Sequence, residues 1–82
     1  MQIHFELYAS LMKHLPSGSS RHRATLDVDD STSAHDLIDT YGVPREMAHL
    51  VVVNGVFTPP EKRDEPLKEG DVLAIWPPVA GG

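Results

Sequence analysis

The chain has 82 residues, no cysteine, and a formal net charge of −5 from twelve acidic and seven basic side chains. That length holds one small domain with a single core, and the missing cysteines exclude disulfides, thiolate-ligated zinc, redox thiols and thiol nucleophiles together. No apolar run reaches membrane-spanning length, "MQIHFELY" lacks signal-peptide order, and the short basic group Arg21-His22-Arg23 is followed by Asp27, Asp29 and Asp30, so a cytoplasmic protein that binds neither membrane nor nucleic acid is expected.

From the N-terminus, "IHFELY" alternates Ile3, Phe5 and Leu7 against His4, Glu6 and Tyr8, the period of a strand with one buried face. "ASLMKHL" has the length for a helical turn or two before the turn-forming "PSGSS". "HRATLDVDD" alternates again, with Ala24, Leu26 and Val28 on one side, and reads as the hairpin partner of the first strand across a long connection. Ser33 and Asp36 then have capping-box spacing, and Ala34, Leu37, Ile38 and Tyr41 form one helical face. Gly42 supplies a cap and Pro44 stops the helix. "HLVVVNGVF" is a continuous apolar strand turning at Asn54-Gly55; without alternation it reads as buried on both faces or central in its sheet. "TPPEKRDEP" is loop by composition, and "LKEGDVLAIW" gives a turn at Gly70-Asp71 and a last strand. Two strands, a helix, then two or more strands is the order of an α+β, β-grasp fold, a mixed sheet packed on one short helix.

Little inside this domain suggests chemistry. His4, His14, His22, His35 and His49 are scattered without metal-ligand spacing and read as exposed structural residues; no metal is expected. "SGSS" near His22 lacks a nucleophile elbow and reads as a loop, and Asp29 and Asp30 suit a turn and the start of a helix. Most of the charge solvates the surface, with a bias toward basic protein partners from its negative sum. Gly42, Gly55 and Gly70 have structural roles in caps and turns. Gly81 and Gly82 have none, which divides the chain into a domain over 1–76 and an extended, flexible tail over 77–82.

The tail, Pro77, Pro78, Val79, Ala80, Gly81, Gly82, is stiff by composition where it leaves the domain and sterically open at its end. A carboxylate that enters a partner's active site must pass a narrow channel, and residues without Cβ adopt whatever backbone angles that channel imposes. Two prolines upstream favour extended geometry and lower the ordering cost on binding.

A β-grasp order closing with "LKEGDVLAIWPPVAGG" resembles the ubiquitin-like sulfur-carrier proteins of molybdopterin and thiamine biosynthesis, over the whole chain, and "PPVAGG" is most similar to the molybdopterin synthase small subunit. The resemblance implies that a ubiquitin-activating-type adenylating enzyme uses ATP to form an acyl-adenylate on Gly82. A sulfur donor then converts it to a thiocarboxylate, and the sulfur passes to an acceptor held by the molybdopterin synthase large subunit. It implies no bound cofactor and no enzymatic activity of the chain alone. Molybdopterin-type members often have a longer helical region between the second and central strands than Ser33 to Leu50 allows, so the pathway stays open. The alternatives are a thiamine-type carrier serving thiazole synthase, a ubiquitin-like modifier joined to lysines through the same terminus, and a plain interaction domain indifferent to loss of Gly81-Gly82. Alternation places Tyr8 and Trp76 on the face opposite the core, with Phe57 as a third aromatic, an expected docking patch beside the tail.

Overall fold

The computed structural model describes residues 1–78. In chain order the elements are β1 (Gln2–Leu7), β2 (Arg23–Asp27), α1 (Ala34–Thr40), β3 (Leu50–Val53), β4 (Val56–Phe57) and β5 (Val72–Trp76), with 3-10 turns at Ala9–His14, Arg45–Met47 and Pro60–Lys62. The strands form one sheet in the order β2-β1-β5-β3-β4. β1 and β5 run parallel, with Leu7 opposite Ile75, while β1–β2, β3–β5 and β3–β4 are antiparallel. This is the mixed sheet and single helix of a β-grasp fold.

Strand alternation dictates which face is covered. Ile3, Phe5, Leu7, Leu73, Ile75 and Val51 are wholly buried beneath α1, which contributes Ala34, Leu37 and Ile38. Each such large side chain contributes about 1.5–3 kcal/mol through burial. The helix starts where its sequence says: Ser33 Oγ accepts from Asp36 N–H at 3.1 Å, and Asp36 Oδ2 accepts from Ser33 N–H at 2.9 Å. It ends at Tyr41, whose ring lies 5.3 Å from that of Phe5, and Gly42 follows with φ +74°. Asp29 closes the preceding turn by accepting from Ser31 N–H at 3.0 Å and from the hydroxyls of Ser31 and Thr32.

Two expectations are corrected. The unbroken apolar run of β3 does not mean burial on both faces: Val51 is buried, but Leu50 is 39 % exposed and Val52 only half-buried. One helix covers one face of this sheet, and β1 and β5 are the strands flanked by partners of full length. Nor are the histidines simply exposed. Of the five, only His49 is; His35 Nδ1 lies 2.9 Å from Asp64 Oδ1, His4 shares a hydrogen bond with Thr25, and His22 packs on Tyr8.

The β3–β4 hairpin is fastened in two ways beyond its ladder. Asn54 and Gly55 take φ of +52° and +82°, as a tight hairpin turn requires. Asn54 also reaches across to β5, donating from Nδ2 to Asp71 Oδ1 and accepting from Val72 N–H, both at 2.8 Å. Behind the hairpin lies Arg63, 6 % exposed, from the segment read as loop. Its Nε donates to the Thr58 carbonyl at 2.9 Å and its Nη1 to the Ala48 carbonyl at 3.2 Å. One guanidinium thus ties the residue after β4 to the approach to β3. Burial lowers its pKa from the ordinary arginine value, with the charge of Glu61 opposing.

Candidate functional site at the root of the tail

The last strand is held on both sides up to Trp76. Tyr8 N–H donates to the Ile75 carbonyl and His49 N–H to the Trp76 carbonyl, each at 3.1 Å. Pro77 has no N–H to offer and cannot continue the ladder, which is why the strand stops there. Pro77 is half-buried and Pro78 exposed. The tail residues Val79, Ala80, Gly81 and Gly82 lie outside the described residues.

Register decides what surrounds this root. Because β1 and β5 are parallel with Leu7 opposite Ile75, the next residues, Tyr8 and Trp76, leave the strands side by side on the open face. Their rings stack at 4.3 Å between centroids and 2° between planes, and the His22 ring stacks on Tyr8 at 4.6 Å. Alternation thus identifies their face correctly, but each ring is half-buried by the others. The Tyr8 hydroxyl donates to Glu6 Oε1 at 2.7 Å, and Glu6 Oε2 lies 3.5 Å from Arg23 Nη1. The hydrogen bond to Glu6, with burial and the carboxylate's charge adding to it, raises the Tyr8 pKa above its ordinary value and keeps the phenol a donor.

Beyond Trp76 the open face continues in apolar residues. Leu50 pairs with Trp76, Val52 with Ala74, and Phe57 with Val52, so all point the same way. Phe57 is 53 % exposed and stands at the sheet's edge, where the Arg63 guanidinium lies 5.9 Å from its ring centroid. It does not join the Tyr8–Trp76 stack. Sequence reasoning missed Leu50 and His22 as members of this surface. Leu50 opens the run "LVVV", and its exposure depends on how many faces of the sheet are covered, which periodicity does not report.

No other part of the described residues converges on chemistry. Among them no three His, Asp or Glu side chains gather to hold a metal ion, and no helix is long and apolar enough to cross a membrane. An open cleft of about 340 Å³ lies between the β3–β4 hairpin and the 58–68 loop, lined in part by Val53, Phe57, Pro66 and Leu67. It sits toward the end of the sheet opposite the tail root, and its two lysines are offset by Glu65 and Asp71.

Comparison with known proteins yields a consistent picture. The sequence profile of the ThiS family matches residues 9–82. The chain is similar in structure to SAMP1 from Haloferax volcanii, at 23 % identity and a TM-score of 0.69 over 100 % of both chains. It is similar to a putative molybdopterin converting factor, subunit 1, from Pyrococcus furiosus at 20 % identity and a TM-score of 0.65, covering 95 % of this chain and 98 % of that one. It also resembles a chain in the complex of subunits 1 and 2 of the molybdopterin-converting factor from Helicobacter pylori, at 18 % identity and a TM-score of 0.61 over 100 % of both. No curated protein matches the sequence.

Proposed function

Because the chain belongs to the ThiS family of small ubiquitin-like sulfur carriers and modifiers, we propose that it carries sulfur as a thiocarboxylate on Gly82 and donates it in molybdopterin biosynthesis. In the first step the Gly82 carboxylate attacks the α-phosphorus of ATP on an adenylating enzyme, giving the acyl-adenylate and releasing pyrophosphate. A sulfide-level nucleophile then attacks the acyl carbon and displaces AMP, and loss of its proton gives the thiocarboxylate, with sulfur in place of one oxygen. Activation is needed because a carboxylate resists nucleophiles, whereas the mixed anhydride has a good leaving group. The chain supplies no acid, base or metal to these steps; it presents the terminus, and its partners do the catalysis.

The observation that carries this reading is the family match running through Gly82 on a fold whose last strand is fastened on both sides to Trp76 and released at Pro77. A rigid root followed by two prolines lets the tail reach into a partner while the domain docks outside it. The Tyr8–Trp76 stack and Leu50 form the apolar part of that docking face, and large aromatics of this kind are frequent binding hot spots. Similarity to a chain solved in complex with its second subunit supports a large-subunit partner.

The test is mass spectrometry of protein purified from cells in which the pathway is active. A C-terminal peptide ending at Gly82 with one oxygen replaced by sulfur is expected. Failure to form either adenylate or thiocarboxylate with any cognate adenylating enzyme refutes the proposal. High-mass conjugates through isopeptide bonds from Gly82 would point to a modifier, and sulfur transfer to thiazole synthase to the thiamine branch.

A further inference from the structure

The net charge of −5 conceals a polarity along the strands. Residues 7–26 contain Lys13, Arg21 and Arg23, with His14 and His22, and no aspartate or glutamate; the rest of the chain carries all twelve acidic residues and the four other basic ones. The fold sends the cationic part of this segment, residues 13–23, to one end of the sheet, and β2 then runs away from it. His22 O accepts from Leu7 N–H at 2.9 Å, its ring lies on Tyr8, which lies on Trp76, and the 3-10 turn bearing Lys13 packs against β1 and β5. Lys13, Arg21 and Arg23 are all exposed. The carboxylates Glu6 and Asp39 are engaged, Glu6 by Tyr8 and Arg23 and Asp39 by Arg45 at 2.8 Å, so among the described residues Lys13 and Arg21 are the cations of this segment without a carboxylate partner.

At the opposite end the sign reverses. Asp27 pairs with Gln2, Glu69 accepts from Gln2 N–H at 2.9 Å, Asp71 lies on the turn before β5, and Asp29 and Asp30 follow β2. The two ends are separated by the length of β1, about 17 Å at roughly 3.3 Å per residue. That is about twice the Debye length of roughly 8 Å at physiological ionic strength, so a partner at one end is screened from the other. The whole-chain charge therefore gives the wrong sign for the end from which the tail departs.

Resting on the carrier reading above, we propose that this cationic end, centred on Lys13 and Arg21, docks on an anionic, Asp/Glu-rich protein face that surrounds the opening into which the tail passes. Attraction at the tail end orients the chain before contact, so that it meets the opening tail first. Such steering acts on the rate of association and depends on salt. The apolar stack then supplies short-range contacts once the orientation is set.

The experiment compares Lys13→Glu/Arg21→Asp with a control reversal at the far end, Asp27→Lys/Asp30→Lys, in stopped-flow association with the adenylating enzyme at low and high ionic strength. Aspartate at position 21 respects its positive φ of 55°. At low salt the first variant is expected to associate roughly tenfold more slowly and to lose most of its salt dependence. At physiological ionic strength the control is expected to stay within about twofold of the wild type. A second arm needs no enzyme: in an amide-resolved NMR titration with an oligoglutamate peptide, shifts should concentrate at Lys13 and Arg21–Arg23. An unchanged association rate in the first variant, an equal loss in the control, or shifts scattered elsewhere would overturn the proposal. If the wild-type chain is never adenylated, the carrier reading fails, while the peptide titration still decides the charge of the docking surface.

Discussion

Replacing Arg63 by methionine tests whether a buried cation with no carboxylate partner among the described residues holds the β3–β4 hairpin in place. Methionine keeps the apolar stem and removes the guanidinium, which donates to the Thr58 and Ala48 carbonyls at 2.9 and 3.2 Å. Charge-assisted hydrogen bonds are each worth about 1.5 kcal/mol or more, so two amount to about 3 kcal/mol. Relief of the guanidinium's own desolvation offsets part of that, leaving a net loss of about 2 kcal/mol. For a domain of this size that lowers the thermal midpoint by roughly 8–16 °C, out of a total stability of about 4–12 kcal/mol. Guanidinium chloride unfolding, followed by far-UV circular dichroism and by fluorescence of Trp76, the only tryptophan, measures it directly. Arg63→Lys keeps the charge but can satisfy only one of the two carbonyls well, and should lose about half as much. If both variants stay within about 0.5 kcal/mol of the wild type, the clamp contributes nothing. If lysine restores full stability, the charge matters and the fork geometry does not.

Ser33→Ala removes one half of the capping box and is expected to cost about 1 kcal/mol in chemical denaturation. Tyr8→Ala and Trp76→Ala, with the double variant, form a cycle whose coupling should be about 1 kcal/mol, and both should weaken partner binding, Trp76→Ala more severely; additive effects on stability would show the stack to be incidental. Gly81→Ala should leave the thermal midpoint unchanged and slow adenylation, and one residue appended after Gly82 should abolish it; unchanged rates would remove the role given to the tail. The hydroxyl and N–H of Ser31, with the Thr32 hydroxyl, lower the Asp29 pKa from its ordinary 3.8, and the hydrogen bond from Arg45 lowers that of Asp39. Groups depressed by folding contribute stability above their unfolded value and lose it as pH falls through the folded one. The thermal midpoint should therefore decline on acidification below pH 3.8, and less steeply in Asp29→Ala/Asp39→Ala.

The sequence by itself determined everything that rests on neighbours a few residues apart. Alternation marked Ile3, Phe5 and Leu7 as core, the Ser33/Asp36 spacing set the start of α1, and Asn54-Gly55 set the hairpin turn, because each needs only the local backbone to choose among a few conformations. Pro77 likewise fixed where β5 stops. What only the tertiary structure decided depends on pairing between distant segments. The parallel register of β1 with β5 makes Tyr8 and Trp76 stack, although 68 positions separate them, and shields rings that alternation alone leaves exposed. A single covering helix leaves Leu50 open in a run that reads as buried. Arg63 looks like a loop residue until the Thr58 carbonyl at the start of its own loop and the Ala48 carbonyl before β3 close around it, and Asn54 looks like a turn residue until Asp71 and Val72 reach its side chain. The sign of the charge at the tail root belongs with these, for net charge is a sum over the chain, whereas the field at a surface falls off within about a Debye length and is set by the few side chains that the fold brings there.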